Sequence, residues 1–251
     1  EGLQHQDGNG LLFASAYPTC IAYDPTFSFE LAVIIQNGMK RMFHNNEDIF
    51  YYITLLNENY EQPEMVQGSE EGIIKGMYLF RQVATGSAQV QLMGSGAILR
   101  EVIAAADLLR EDFGIEANIW SIPGINQLHR EGLLAEDWNR QNPEKQRKLS
   151  YVEEVLKDHE GPAVISTDYI TAYAEQIRRL VPMPLVTLGT DGFGRSDTRQ
   201  VLRDFFKVDR YHIVIAALGA LAEQGKAKAN TVTDALEKYP SVSGTPHPIT
   251  R

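Results

Sequence analysis

VQLMGSGAILREVIAAADLLREDFGIEANIWS, residues 90–121, decides how this chain is read. VQLM is a short apolar run that ends at a glycine, as a buried strand does. Over 98–113, Ile98, Val102, Ala105, Leu108 and Leu109 recur on one helical stripe, and Gly114 marks the stop. IEANIWSI is then a second strand. Strand, helix and strand in this order make a βα unit of a parallel sheet.

The same grammar continues downstream. GPAVISTD reads as a strand after a Gly-Pro turn and LVTLGTDG as another. Helices are expected to start at Tyr151 and over 169–180, 198–206 and 212–224. From Pro240 the tail carries three prolines and is expected to be extended. Upstream, 1–18 reads as a Gly-rich loop, TCIAYDPTF as a strand closing on an Asp-Pro turn, FSFELAVIIQNGMKRMF as a helix and IFYYITLL as a buried strand. NENYEQPEMVQGSEEG is polar and carries Pro63. The expected architecture is therefore α/β. A mostly parallel sheet flanked by helices occupies 75–251, a linker 61–74, and the end of a second α/β domain 1–60.

Composition narrows the function. With 43% hydrophobic and 22% charged residues, the chain can bury a core and is not largely disordered. A net charge of -10 argues against nucleic acid as the main partner. A lone cysteine, Cys20 in TCIAY, excludes an internal disulfide, fits a reducing cytoplasm and reads as a small buried hydrophobe. No apolar run reaches the ~18 residues of a membrane helix. The opening EGLQHQDGNG has neither the basic nor the apolar region of a signal peptide and reads as part of a longer chain.

Four strings could carry chemistry. GLQHQDG places His5 and Asp7 in a Gly-bounded loop, where an imidazole can move protons near neutral pH. MGSG, with Gly94, Ser95 and Gly96 between a strand and a helix, can face an anion. It equally serves as a cap and a tight turn. In LGTDGFGRSDTR, Gly189, Gly192 and Gly194 bend the chain, Ser196 or Asp197 can cap the next helix, and Arg195 and Arg199 can meet acidic groups. Glu58, Glu61 and Glu64 in NENYEQPEM could gather on a metal but read better as a solvated connector. The other histidines, His44, His129, His159, His212 and His247, have no Cys or His partner at zinc spacing.

Taken together and in order, EGLQHQDG, AYDPTFSFELAVIIQNGMKRM, YYITLLNENYEQPEM, EEGIIKGMY, QLMGSGAILRE, ISTDY, AEQIRRLVP and LGTDGFGRSDTR resemble the last third of the homodimeric, bacterial-type pyruvate dehydrogenase decarboxylase component. That family belongs to the transketolase-like thiamin-diphosphate enzymes. The resemblance implies that 1–60 ends the middle, aminopyrimidine-binding domain and that 75–251 is a transketolase-like C-terminal domain. It implies a homodimer that decarboxylates pyruvate with thiamin diphosphate and Mg2+ and acetylates a lipoyl group of the dihydrolipoyl acetyltransferase core. It implies one catalytic residue in this sequence, His5, and places the cofactor and metal ligands outside it, so that no cofactor is expected to be held by this chain alone. One departure stands out. The family pattern continues Asp-Gly with His-Ser, and here Asn9-Gly10-Leu11 follows Asp7-Gly8. Two other readings compete: a non-catalytic dimerisation or docking module, and a decarboxylase of a related 2-oxo acid.

The missing cofactor motif generates the first prediction. The purified chain, supplied with thiamin diphosphate and Mg2+, is expected not to decarboxylate pyruvate. Carbon dioxide release that co-purifies with the chain would refute this.

Overall fold

The computed structural model describes residues 6–84, 86, 89–239, 242, 244 and 246–250. A five-stranded sheet runs in the order β3 (Tyr78–Arg81), β5 (Ala117–Ser121), β4 (Val90–Gly94), β6 (Ala163–Ser166), β7 (Leu185–Leu188). β5, β4, β6 and β7 pair in parallel, and only β3 lies antiparallel on β5. A second sheet pairs β1 (Cys20–Tyr23) with β2 (Phe50–Ile53) in parallel.

The central strands are buried along their whole length, so they read as continuous apolar runs. Neighbouring residues face opposite layers. Leu92, Ile119 and Val164 pack under α4 (Leu99–Phe113) and α9 (Arg210–Glu223), while Met93, Trp120 and Ile165 pack with Tyr173 and Leu128 on the other side. Leu128 belongs to α5 (Ile125–Gln141). Gly114 ends α4 at φ 66°, the left-handed conformation in which glycine has no Cβ penalty. Ser150 and Glu153 close a reciprocal capping box on α6 (Tyr151–Leu156).

Several expectations needed correction. The leading loop contains a short helix, α1 (Gly10–Ala14). The first long helix, α2 (Ser28–Met39), continues as a π-helical turn over Lys40–His44. β2 is not a buried strand: Phe50 is exposed and the rest half-buried, because β1 is its only partner among the described residues. Residues 61–74 include most of α3 (Glu70–Lys75), whose Ile73 is fully buried. The helix expected over 169–180 is α7 (Thr171–Glu175) and a separate 3-10 turn, Arg178–Leu180. Its first residues are held elsewhere, for Ile170 N–H donates to Gly8 O and Tyr169 O accepts from Thr190 N–H. α8 (Arg199–Phe205) falls within the expected span 198–206, and α10 (Ala229–Lys238) was not expected. The tail holds a 3-10 turn, Pro248–Thr250. Among the described residues no helix is long and apolar enough to cross a membrane.

Two glycines separate two kinds of backbone constraint. At Gly114 a Cβ would meet nothing within 4 Å, whereas at Gly76, φ 105°, it would lie 2.3 Å from the Gly124 carbonyl oxygen. Gly114→Ala is expected to cost about 1 kcal/mol, the left-handed penalty alone. Gly76→Ala must also displace backbone and is expected to cost more than about 3 kcal/mol. Denaturant unfolding of both variants checks the ranking, and equal losses would contradict it.

Candidate functional site

A cavity of about 710 Å³ opens where β2, β6 and β7 end, at their carboxyl termini. That is where parallel sheets present loops to ligands. Thr54–Leu56 follows β2, Asp168 and Tyr169 follow β6, and Thr190–Gly194 follows β7. Gln6, Asp7 and Gly8 form another wall, and Arg199 and Arg203 of α8 a further one.

Each wall is fixed by its own chemistry. Asp7 Oδ1 accepts the N–H groups of Asn9 (3.1 Å) and Gly10 (2.6 Å) ahead of α1, and its Oδ2 accepts from Tyr52 Oη at 3.1 Å. Asp191 takes the N–H (2.9 Å) and hydroxyl (2.8 Å) of Thr171, tying the β7 loop to α7. The Gln6 side chain fills the space beside Gly194 and donates to Arg195 O. Thr198, rather than Ser196 or Asp197, caps α8, its hydroxyl accepting from Val201 N–H. Arg195 stacks on Phe205, its guanidinium 5.0 Å from the ring centre.

Glu58 is no solvated connector. Arg100 reaches it at 2.7 Å and Arg203 at 2.5 Å, with Arg199 at 3.7 Å. Arg199 also donates to the Asn57 side chain at 2.7 Å. Burial pushes the Glu58 carboxyl up, but the bonds from Arg203 and Arg100 outweigh it and hold the group below its ordinary value. Arg203 continues to Glu101, which Arg210 grips at 2.8 Å. Glu61 and Glu64 stay exposed, so no carboxylate cluster forms there.

Behind the cavity lies a buried polar chain. Asp24 accepts from Thr54 Oγ1 at 2.7 Å and Ser95 Oγ at 2.8 Å, and Ser95 Oγ lies 3.1 Å from Thr167 Oγ1. Ser95 therefore does not cap the helix that follows it. The acidic group facing the Gly94-Ser95-Gly96 turn is the chain's own Asp24, whose carboxyl would lie 2.6 Å from a Cβ at Gly96. Burial pushes the Asp24 carboxyl up to about 7, against the pull of Thr54 and Ser95. Asp168, on the cavity wall, is raised by burial, lowered by Arg203 and raised by Glu58, with a net upward shift. Glu30, fully buried, is also raised by burial.

His5 lies outside the described residues. Asp7, Gly192, Gly194 and Arg199 do meet in the cavity. Cys20 is buried, and burial raises its thiol, which disfavours the reactive thiolate. Sequence reasoning missed Asp24, Glu30 and Asp168. Asp24 was legible only as half of an Asp-Pro turn, although an acid closing an apolar strand is itself a signal of a buried carboxylate.

Known proteins match the chain in two segments. Residues 1–63 match the family described as pyruvate dehydrogenase E1 component middle domain, and 76–209 the transketolase-like TK C-terminal domain. The pyruvate dehydrogenase E1 component of Pseudomonas aeruginosa is 56% identical over 95% of this chain and 27% of its own length. Those of Cupriavidus necator and Escherichia coli K12 are 51% and 44% identical, over 99% and 95% of this chain and 28% and 27% of their lengths. The chain thus spans about a quarter of the length of these relatives. Transketolase from Leishmania mexicana superposes with a TM-score of 0.61 at 19% identity, over 88% of this chain and 28% of that one. A split-gene transketolase, an inactive beta4 tetramer, gives 0.58 at 16%, over 88% and 64%. At these identities the likeness establishes the fold.

The Asp24 geometry generates a pH prediction. Between about pH 3.8 and about 7 the folded chain holds a proton that the unfolded chain releases. The stability that Asp24 contributes is therefore greatest below that window and falls as pH rises through it, with Glu30 and Asp168 acting in the same direction. Asp24→Asn is expected to flatten the fall by up to about 1.4 kcal/mol per pH unit. Unfolding curves of parent and variant across the window measure this, and parallel profiles would exclude Asp24 as the source.

Proposed function

We propose, for a chain that belongs to the transketolase-like C-terminal-domain family in the form carried by pyruvate dehydrogenase E1 components, that it serves the E1 reaction. In this reading the complete protein is a cytoplasmic homodimer. It decarboxylates pyruvate with thiamin diphosphate and Mg2+ and acetylates a lipoyl group of its acetyltransferase partner. The observation that carries the reading is identity of 44–56% along nearly the whole chain, across both matched domains in order. We assign 1–60 to the end of the middle domain, 61–74 to the connection and 75–251 to the C-terminal domain.

The described residues do not by themselves fit a diphosphate–magnesium group. Arg199 and Arg203 are engaged by Asn57 and Glu58, and Asp7 by the Asn9 and Gly10 N–H groups and Tyr52. The Gly96 N–H donates inward to Asp24 O. Cofactor and metal binding are therefore assigned to parts of the protein outside this chain, and no step is derived through them. What this chain contributes is the loop that begins at His5. The residues after it, Gln6, Asp7 and Gly8, line the cavity, with Gly8 bonded to Ile170 and Gln6 to Arg195. In this reading His5, the residue that the resemblance names as catalytic, holds or delivers a proton to the reacting group.

In the complete enzyme, His5→Ala is expected to lower turnover by roughly two to three orders of magnitude, the usual loss for a positioned proton donor. The melting temperature is expected to stay close to the parent's. Steady-state turnover and thermal melting of the same variant test it. Turnover within a factor of about three of the parent removes His5 from the site, and joint collapse of turnover and melting temperature makes it structural.

A further inference from the structure

Among the described residues four charged side chains line the cavity, Asp7, Asp168, Arg199 and Arg203. Three of them are engaged. Asp7 is held by two backbone N–H groups and Tyr52, Arg199 by Asn57 and Glu58, and Arg203 by Glu58 and Glu101. The fourth, Asp168, stands just past the end of β6, where a parallel sheet presents its ligand-contacting groups. Among the described residues no donor bonds its carboxyl and no cation closes an ion pair with it, yet neither oxygen is shut away from solvent. Both therefore reach open space, and the open space beside Asp168 is the cavity it lines. The backbone that carries it is pinned on both sides. Asp168 O accepts from Thr190 Oγ1 at 2.8 Å, Thr167 N–H donates to Leu188 O at 3.1 Å, and Ile170 N–H donates to Gly8 O at 3.1 Å. The free carboxyl is held in place between the β7 loop and the wall formed by Gln6, Asp7 and Gly8.

A carboxyl so placed gains nothing for the fold, since it makes no bond there and loses part of its hydration. What it can serve is a molecule in the cavity. From this arrangement we infer that Asp168 is a catalytic residue of the cavity, contacting the bound substrate and giving a proton to one of its oxygen atoms. The inference rests on the E1 reading, in which that substrate is a 2-oxo acid. The surroundings of Asp168 suit a donor. Burial raises its carboxyl, Arg203 of α8 lowers it, Glu58 after β2 raises it and Arg199 of α8 lowers it, with the rise prevailing. Asp24, at the end of β1, is a further acid within reach of its field. Asp7 and Tyr52 are bonded to each other, and Asp191 on the β7 loop is bonded to Thr171. Asp168 therefore keeps its proton to a higher pH than an exposed aspartate does, which brings it closer to the range where a general acid is effective. In the transfer its O–H bond breaks as an O–H bond forms on the substrate oxygen. The carboxylate left behind lies in the positive field of Arg203 and Arg199, and the proton returns along the same path.

The test takes kinetics from the complete enzyme and a titration from the full chain. In the enzyme, Asp168→Asn is expected to lower kcat/KM for pyruvate by about a hundredfold or more. The ratio of parent to Asp168→Asn kcat/KM should fall as pH rises through the titration of Asp168, because only the protonated acid gives a proton. The melting temperature of the variant should equal or exceed the parent's, because an unpaired carboxyl has been removed. In the full chain, carbon-13 NMR should show the Asp168 carboxyl titrating above the ~3.9 of a free aspartate. An ordinary value there overturns the proposal, and does so without any variant having to fold. A ratio that stays flat or rises with pH overturns it too, as does a folded Asp168→Asn within a factor of about three of the parent. Joint collapse of turnover and melting temperature makes Asp168 structural. An active parent with an unaffected variant sinks this inference alone, whereas a complete parent that does not turn over pyruvate sinks the E1 reading and this inference with it.

Discussion

Glu30 has no exposed surface, and its carboxylate is where the two sheets are joined. Thr26 and Phe27 donate their N–H groups to Oε2, at 2.5 and 3.1 Å, while Tyr78 Oη and Ser121 Oγ donate to Oε1, at 2.7 and 2.5 Å. The first two donors lie just ahead of α2, and the other two lie on β3 and β5. An unpaired carboxylate in that position would be severely destabilising, so the bonds must all form or the seam does not close. Asp24 repeats the device a few residues earlier. It ties the end of β1 to Thr54 after β2 and to Ser95 after β4.

The cavity follows from that seam. With the two sheets held in one orientation, the carboxyl ends of β2, β6 and β7 face a common space. The arginine–glutamate network then closes its α8 side. Four guanidinium groups, from Arg100, Arg199, Arg203 and Arg210, converge on Glu58 and Glu101. Arg203 and Glu101 are largely shielded from water, so salt screens this contact less than it would a surface pair. The network thus links the segment after β2 to α4, α8 and α9 at once.

Much of the fold was legible because local and global preferences agree in it. Strands buried on both faces leave apolar runs, and α4 shows its stripe and its terminal glycine in consecutive residues. The elements that escaped notice are those whose identity depends on distant partners. β3 exists by pairing with β5, some forty residues on, and nothing in YLFR announces an antiparallel edge. α7 starts later than its pattern suggests because Tyr169 and Ile170, just before it, bond to Thr190 and Gly8. The site divided in the same way. Glycines and caps in LGTDGFGRSDTR were readable as turn chemistry, although the cap was Thr198. Glu58 looked like part of a solvated acidic run because its arginines lie forty to a hundred and fifty positions away.

Gly76 and Gly124 touch backbone to backbone. Gly124 N–H donates to Gly76 O at 3.2 Å, and a Cβ on Gly124 would lie 2.8 Å from the Gly76 Cα. In most packed contacts a larger residue on one side can be matched by a smaller one on the other, so such pairs drift together over many generations. Here both partners are already at the smallest size there is. No compensating exchange exists, and the two positions are frozen as a pair while the apolar residues around them remain free to trade volume.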